Sequence, residues 1–378
     1  MVPVCQRSVY DTIMAIRVLL LADINSEHTQ KWAVGLAGSG YEIGIFSFTA
    51  PKSDWYHPYG IACLHQPDAS SGAGRLWKKL GYLRFLPKLK EAIHEFAPHI
   101  LHAHYASSYG LLGALSGFNP YIISVWGTDV MKFPYKNLLT RGIVKYNLHK
   151  ADAVCATSHT LERHVHRLTD KAVEVIPFGV NLDEFINKPS LKDRSAFTIG
   201  CVKSLEKNYN IASVIVSFAK LRNRHPGKNL KLVIVGEGEE RANLQELVKE
   251  LHIEAQVVFE GKLPHHLVAD KINELDVLVN ISEYESFGVS VVEAMACQVP
   301  VIVSEAEGLK EVVDDQLNGS IVACHNIEEI VEALERLMLS ETLREVIGLN
   351  ALERVRKNYN WKHNLHKMMS VYDRILCL

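Results

Sequence analysis

The chain of 378 residues exceeds the length that one hydrophobic core usually organises, which favours two domains of ordinary size. Hydrophobic residues make up 48% and charged residues 22%, and these proportions exclude a disordered or fibrous chain. The formal charge of -2 supplies no overall field that would attract nucleic acid, so an anionic ligand must meet a local cluster of cations.

The cysteines and the length of the apolar run near the N-terminus indicate the cellular compartment of the protein. The seven cysteines are scattered, odd in number and free of any C-x-x-C pair, which predicts free thiols in a reducing cytosol. The apolar run at residues 16–22 is too short to span a bilayer, which takes about 20 residues, and lacks a convincing signal-peptide cleavage site. We expect a cytoplasmic protein in which this run is a buried strand.

Short β-branched or leucine-rich runs alternate with longer amphipathic stretches, a pattern typical of βα units and parallel sheets. The first series of strands is predicted at residues 16–21, 43–48, 100–103, 121–125, 153–156 and 173–176. The second series is predicted at residues 198–202, 231–235, 257–260, 277–280, 301–304 and 320–322. Two sheets are therefore expected, joined by an irregular linker at residues 177–190 that contains prolines and a glycine.

The most informative segment follows an apolar strand and reads Glu285-Ser286-Phe287-Gly288-Val289, continuing to Glu293. A helix that starts near Phe287 or Gly288 would offer free N–H groups and its positive dipole end to a phosphate. Eight residues, about two helical turns, separate Glu285 from Glu293, so both carboxylates can face one cleft and accept hydrogen bonds from hydroxyls. Considered alone, either glutamate would be interpreted as a solvated surface charge.

A pair of lysines follows the first strand of the second series. Lys203 and Lys207 stand four residues apart in a loop, where two ammonium groups can neutralise a diphosphate. The alternative interpretation is two solvated surface lysines.

These segments resemble motifs of the family 4 glycosyltransferases, in the order in which that family carries them. Residues 285–293 resemble its E-x7-E motif, residues 200–207 its G-R-L-x-x-x-K loop, residues 232–239 its V-G-x-G turn and residues 259–263 its F-x-G-x-[VL] segment. The resemblance implies that Glu285 contacts the transferred sugar and that Glu293 contacts the ribose. It also implies that Lys203 and Lys207 bind the diphosphate. Lys203 stands where arginine is usual, so bidentate phosphate binding is not expected. A backbone contact of Leu263 with the nucleobase is implied, with a plain strand end as the alternative.

The first half carries two further resemblances. Residues 100–104 are similar to a strand-end H-x-H whose second histidine lies beside the donor sugar, which implies that role for His104, although such a histidine is more often structural. Residues 126–129 are similar to [WH]-G-[TS]-D on the cleft wall, so Asp129 is expected to orient the acceptor or His104. A helix-capping aspartate is the alternative. Residues 175–185 are similar to the motif at the family's domain junction.

The resemblance covers residues 16 to about 372 and implies an α/β chain with the GT-B fold, in which two Rossmann-like domains with parallel sheets face across a cleft. It places an acceptor-binding domain at residues 1–185, a donor-binding domain at 186–357 and a C-terminal helix at 358–378 that crosses back to the first domain. The implied activity is retaining transfer of a sugar from a UDP- or GDP-sugar to a saccharide or lipid-linked saccharide acceptor, in cell-surface polysaccharide or glycoconjugate synthesis. The predicted catalytic residues are His104, Lys207 and Glu285, and the predicted donor-binding residues are Lys203, Lys207, Leu263, Glu285, Ser286, Phe287, Gly288, Val289 and Glu293.

No metal or other cofactor is expected, because two lysines and a helix N-terminus can neutralise the leaving diphosphate. There is no D-x-D motif. His164 with His166, and His265 with His266, lack carboxylates or cysteines at ligand spacing and are interpreted as ordinary surface histidines.

One segment and two rival functions stay open. Residues 74–90 mix basic and large apolar side chains, which suits a surface resting on anionic lipid, with an ordinary amphipathic helix as the alternative. Gly236-Glu237-Gly238 after a strand suggests an NAD-dependent oxidoreductase, but Arg241 replaces the third glycine of that fingerprint. The other rival is a non-catalytic nucleotide-sugar binding module, against which the intact Glu285, Glu293 and Lys207 count.

Overall fold

A computed structural model describes residues 15–65 and 81–377. By their contacts the residues form two compact units. Unit 1 comprises the described residues up to Cys155, His164–Glu174 and the described residues from Lys367 onward, and unit 2 comprises Ala156–Arg163 and Val175–His366. The domain limits predicted from the sequence, at residues 185 and 357, differ from the limits of these two units. They remain predictions.

Unit 1 is built on a seven-stranded sheet with the order β3-β2-β1-β4-β5-β6-β7. The central strands pair in parallel, and Val18 to Leu21 of β1 are fully buried because both faces of the sheet are covered. The strands are β1 (Arg17–Leu21), β2 (Glu42–Phe46), β3 (Ala62–His65), β4 (Ile100–His104), β5 (Tyr121–Val125), β6 (Ala153–Ala156) and β7 (Val173–Val175). The helices in this half of the chain are α1 (Glu27–Gly38), α2 (Leu86–Phe96), α3 (Ser108–Ser116), α4 (Thr128–Met131), α5 (Leu138–Lys150) and α6 (His159–His166).

Unit 2 is built on a six-stranded parallel sheet with the order β10-β9-β8-β11-β12-β13. Its core packs helix side chains such as Phe218 and Leu334 against strand residues such as Ile199, all fully buried. The strands are β8 (Phe197–Val202), β9 (Leu230–Val235), β10 (Val257–Gly261), β11 (Val277–Asn280), β12 (Val301–Ser304) and β13 (Ser320–Val322). The helices that follow β8 are α7 (Ile211–Arg224), α8 (Arg241–Glu250), α9 (His265–Asn273), α10 (Val289–Ala296), α11 (Glu307–Val312), α12 (Ile327–Leu339), α13 (Glu341–Asn358) and α14 (Trp361–Leu376), of which the residues of α14 from Lys367 onward belong to unit 1.

The structure confirms both predicted series of parallel strands, each within two residues of its expected limits. It adds β3, which the sequence pattern did not predict. This edge strand contains no β-branched residue and its first three residues are only half-buried, so it lacks the usual strand signal. In both sheets the strand order reverses beside the first strand of the series, at β1/β4 and at β8/β11.

Three further sequence predictions concern the cysteines, the basic segment and the possibility of a membrane-spanning helix. The six cysteines of the described residues are free, and Cys5 lies outside them. Residues 74–80 of the basic segment also lie outside the described residues, whereas its end enters α2, which buries Leu89 and exposes Lys88 and Lys90 like an ordinary amphipathic helix. No helix within residues 15–65 and 81–377 has the length and apolar character that crossing a bilayer requires.

Candidate functional site

The carboxyl ends of β8 and β11 bring two of the predicted clusters together in unit 2. These neighbouring strands flank the point at which the strand order reverses, where open parallel sheets bind their ligands. The loop after β8 carries the two lysines, and the loop after β11 carries Glu285. The backbone N–H of Glu283 donates to the carbonyl of Asn208 over 2.8 Å, so the two loops are in direct contact.

Lys203 and Glu285 form an ion pair between these loops. Their side chains are only 17% and 12% exposed. The ammonium group of Lys203 also lies 4.3 Å from the centroid of the Tyr209 ring. Burial by itself lowers the pKa of Lys203, but electrostatic attraction to Glu285 and Tyr209, with the hydrogen bond to Glu285, outweighs it, so this pKa lies above its ordinary value. Lys203 is therefore a cation held at the end of β8 by its neighbours.

The helix predicted after Glu285 begins at Val289, directly after Gly288. Gly288 has a φ of +91°, and a Cβ there would lie 2.6 Å from Cδ2 of Leu309, so only glycine fits without strain. Phe287 is 2% exposed and packs edge-on against Tyr359 at 5.4 Å between ring centroids. The first N–H groups of α10 have no partner within the helix, as at any helix N-terminus, and they begin beside the ion pair.

Gly308 on α11 is a site residue that the sequence analysis missed. Its N–H donates to the carbonyl of Glu285 over 3.1 Å, and a Cβ there would lie 2.4 Å from the carbonyl carbon of Ser286. The hydroxyl of Ser158 donates to the carbonyl of Ser286 over 2.9 Å. Because α11 approaches this closely, the backbone of the Glu285 segment is held from two sides. The sequence signal was a single glycine, too little to identify the contact.

Glu293 is nearly buried, with 6% of its surface exposed, and His265, whose side chain is 42% exposed as expected of a surface histidine, lies against it. Nε2 of His265 lies 3.4 Å from Oε1 of Glu293, and Nδ1 lies 3.6 Å from Oε1 of Glu184. The fold thus brings two carboxylates to a histidine that has none near it in sequence. His164 is also buried, at 7% exposure, rather than on the surface, whereas His166 is exposed.

The remaining donor-side candidates are less constrained by neighbours. Lys207 begins a short 3₁₀ turn, Lys207–Tyr209, and its side chain is exposed, with no ion pair to any residue of the described ranges. Leu263 follows β10 and is half-buried. Val289 is the first residue of α10 and is half-buried too.

The glycines at 236 and 238 accommodate the protein's own backbone. A Cβ on Gly236 would lie 1.9 Å from the carbonyl oxygen of Lys203, and one on Gly238 would lie 2.2 Å from that of Leu205. The N–H of Leu205 donates to the carbonyl of Glu237 over 3.0 Å. The loop after β8 therefore fills the space beside these two glycines that a dinucleotide pyrophosphate would need. This argues against the oxidoreductase alternative.

His104 ends β4 in unit 1, beside the point where the strand order of that sheet reverses. It is 2% exposed, and its ring lies 4.4 Å from the Trp126 ring and 4.9 Å from the His102 ring between centroids. Burial, followed by the nearby His102 and His28, lowers the pKa of His104 well below its usual value. Nδ1 of His104 has no hydrogen-bond partner in the described part of the chain. His104 is therefore a neutral imidazole at neutral pH.

His102, two residues before His104 on β4, is hydrogen-bonded through both of its ring nitrogens. Nδ1 of His102 lies 2.7 Å from the hydroxyl of Tyr372 on α14, and Nε2 lies 2.8 Å from the hydroxyl of Ser124 on β5. Burial lowers the pKa of His102 to about 3. A neutral imidazole has one donor and one acceptor, so both of its nitrogens are satisfied by these two hydroxyls.

Asp129 is 1% exposed and is hydrogen-bonded to the backbone. Its carboxylate accepts from the N–H groups of Ala106 at 2.8 Å, Gly127 at 2.8 Å and Trp126 at 3.3 Å. Burial raises the pKa of Asp129, and these donors oppose the rise. Among the described residues no hydrogen bond joins Asp129 to His104. Asp129 is the second residue of α4 rather than its N-cap, and its contacts tie the loop after β4 to the start of that helix.

Comparison with known proteins places these features in a family. Residues 17–158 match the family model described as "Glycosyl transferase 4-like", and residues 183–354 match "Glycosyl transferases group 1". The chain is 26% identical over 307 residues to the N-acetyl-alpha-D-glucosaminyl L-malate synthase of Bacillus anthracis, covering 78% of each chain. It is 23% identical over 300 residues to the phosphatidylinositol N-acetylglucosaminyltransferase gpi3 subunit of Schizosaccharomyces pombe, covering 78% of this chain and 65% of that protein.

Solved structures agree with this placement at the level of the fold. The sucrose-phosphate synthase of Thermosynechococcus elongatus superposes with a TM-score of 0.83 at 20% identity, over 96% of this chain and 99% of that one. Anabaena HepE, in a complex with UDP and glucose, superposes with a TM-score of 0.79 at 17% identity, over 95% of this chain and 100% of that one. With matches in both halves and two parallel α/β sheets, the chain belongs to the family 4 glycosyltransferases of the GT-B fold.

Proposed function

We propose that the chain is a retaining glycosyltransferase that transfers a sugar from a UDP- or GDP-sugar to a saccharide or lipid-linked saccharide acceptor, in cell-surface polysaccharide or glycoconjugate synthesis. The observation that carries the proposal is the Lys203–Glu285 ion pair beside the start of α10, at the strand-order reversal of unit 2. The UDP and UDP-glucose bound in the HepE structures support a uridine donor as the first to test.

The donor role follows from charge. A diphosphate offers Lys203 a doubly charged partner in place of the Glu285 carboxylate, and the exposed Lys207 can reach the same anion. Once released, Glu285 can accept hydrogen bonds from sugar hydroxyls. The first turn of α10, from Gly288 and Val289, contributes N–H groups for a phosphate oxygen. Backbone contacts from Ser286 and Phe287, the Glu293 carboxylate at the ribose and Leu263 at the base complete the proposed set.

The proposed chemistry needs the leaving diphosphate to be neutralised. The bond between the anomeric carbon and the phosphate oxygen breaks, the acceptor oxygen attacks from the same face, and the acceptor proton passes to the leaving phosphate. Lys203, Lys207 and the start of α10 stabilise the departing charge, so we propose that no metal is required. His104 is proposed to contact the sugar, and its neutral ring adds no positive charge where oxocarbenium character develops. Asp129 is proposed to act on the acceptor side by fixing the loop that follows His104.

The test is a transfer assay with UDP-, GDP- and dTDP-sugars, with and without a chelator. We expect turnover with one nucleotide, unchanged by chelation, and loss of about 100-fold in kcat for Glu285→Gln, since one preorganised contact with the transition state is removed. Binding of NAD with no turnover of any nucleotide-sugar would contradict the proposal. NMR of the product tests the stereochemistry, because an inverted anomeric configuration would rule out retention.

We also propose a cytoplasmic location with peripheral attachment to an anionic membrane, through the basic segment at residues 74–90. The composition of that segment is the support. Replacing Lys78, Lys79 and Arg84 by glutamate is expected to weaken sedimentation with anionic vesicles, and unchanged sedimentation would remove this role for the segment.

A further inference from the structure

The outer face of α5 in unit 1 carries an unusual set of exposed side chains. Leu138 is 88% exposed and Leu139 is 67% exposed, and Tyr135 and Tyr146 beside them are 47% and 40% exposed. Single apolar residues on a surface are ordinary, but four large ones within residues 135–146 form a group. We call Tyr135, Leu138, Leu139 and Tyr146, with the exposed cations Lys136, Lys145 and Lys150, the α5 patch.

The way α5 begins explains why the two leucines project outward. Asn137 caps the helix by accepting from the N–H of Thr140 over 2.9 Å, and the hydroxyl of Thr140 accepts from the N–H of Asn137 over 3.2 Å. This capping box fixes Leu138 and Leu139 in the first turn. The opposite face is the buried one and consists of Thr140, Val144, Asn147 and Leu148. The helical period then directs positions 138, 142, 145, 146 and 149 away from the unit.

The charge of this segment stands out from that of the whole chain. Residues 130–151 contain four lysines, one arginine and no aspartate or glutamate, whereas the entire chain has a formal charge of -2. Lys150 lies 5.8 Å from the ring centroid of Tyr146, so cation and aromatic ring share one face. The patch therefore combines protruding leucines, tyrosines and a purely positive local charge.

We propose that the α5 patch binds the surface of an anionic lipid bilayer, with Leu138 and Leu139 inserted among the acyl chains. Lysines facing lipid phosphates and tyrosines at headgroup depth match the chemistry of that interface. Nucleic acid would engage the same cations but would leave the two projecting leucines in water. The α5 patch shares no residue with the segment at residues 74–90, and the proposal does not depend on the donor site.

Sedimentation of the full chain with vesicles tests the proposal. Binding is expected to vesicles of phosphatidylglycerol and phosphatidylcholine, to weaken as salt rises, and to be lost with phosphatidylcholine alone. Lys136→Glu with Lys145→Glu should weaken it at least about 25-fold, at about fivefold for each cation removed from the surface. Leu138→Ser with Leu139→Ser should weaken it at least about tenfold, because apolar burial is lost.

Matched controls come from unit 2. Leu339 and Leu349 are 60% and 55% exposed, so Leu339→Ser with Leu349→Ser removes comparable apolar surface. Lys228→Glu with Lys357→Glu makes the same change in net charge at exposed positions. Both control variants should sediment like the unaltered chain. If the controls lose as much binding as the α5 variants, the proposal is overturned.

A fluorescence measurement gives a second, independent result. The tryptophan introduced by Leu138→Trp should shift its emission to shorter wavelength when anionic vesicles are added. The tryptophan introduced by Leu349→Trp should not. Unfolding midpoints close to that of the unaltered chain confirm that the variants fold. The proposal fails if the Leu138→Trp emission does not move, or if the α5 variants lose affinity for a DNA duplex while keeping their affinity for vesicles.

Discussion

Lys203 and Glu285 are 82 residues apart in sequence, yet their charges meet at the ends of two adjacent strands. Each side chain is the counterion of the other in a place that water reaches poorly, at 17% and 12% exposure. A ligand that separates them must therefore supply an anion for the lysine and hydroxyl groups for the carboxylate.

The first prediction concerns the stability of this pair. Lys203→Met leaves a poorly solvated carboxylate without its counterion, so we expect the free energy of unfolding to fall by about 3 kcal/mol. The double variant Lys203→Met with Glu285→Gln removes both charges and should lose less than the single variant. Urea unfolding followed by circular dichroism measures both values. Additive losses would show that the two side chains do not stabilise each other.

The second prediction concerns the two histidines at the start of α9. If Glu293 binds the ribose, His265→Ala should raise the donor KM about fivefold and leave kcat within about twofold, since a long contact to a carboxylate is worth about 1 kcal/mol. His266→Ala, at the exposed neighbouring position, is the matched control and should change neither constant. Equal effects of the two substitutions would show that the contact between His265 and Glu293 does not contribute to donor binding.

The third prediction concerns the glycine that supports the Glu285 segment. Gly308→Ala places a methyl group against the backbone of residues 285–287, so we expect a loss of about 1–3 kcal/mol in stability. The thermal shift produced by UDP should shrink as well, because the proposed donor loop is displaced. Gly38→Ala serves as the control, since a Cβ there meets nothing within 4 Å. A normal UDP shift in Gly308→Ala would separate this glycine from donor binding.

The fourth prediction concerns pH and His102. The pKa of His102 is about 3 in the folded chain and about 6.5 in an unfolded one, so below pH 6.5 only the unfolded state binds the proton. The stability it contributes is therefore complete above pH 6.5 and is lost as the pH falls towards 3. The expected loss is about 1.4 kcal/mol per pH unit.

Urea unfolding at pH 7, 6 and 5 measures this dependence. His102→Gln should reduce the slope of the unfolding free energy against pH by about 1.4 kcal/mol per pH unit. His94→Gln, at a position of α2 away from the core, should leave this slope unchanged. An unaltered slope in His102→Gln would mean that the folded and unfolded states bind the proton equally at this position, so that the pKa of His102 is not lowered by folding.

The sequence pattern predicted what depends on neighbours along the chain. Buried strands such as β8 and β11 appear as continuous apolar runs. The helical spacing predicted for Glu285 and Glu293 was wrong, because α10 begins only at Val289 and Glu285 lies in the loop before it. Contacts that join distant segments left little local signal. Gly308 is a single glycine, and His265 meets its carboxylates only after α9 and α10 pack. The edge strand β3 was missed because its composition is not that of a strand.

The last helix determines when unit 1 can be completed. Tyr372 is fully buried and bonds to His102, a partner 270 residues earlier in the chain. During synthesis β4 is made long before α14, so the core around His102 is completed only after Tyr372 has been made. A chain that stops a few residues before Tyr372 lacks the buried ring that covers His102 in unit 1. Exposed apolar surface of this kind favours aggregation of incomplete chains.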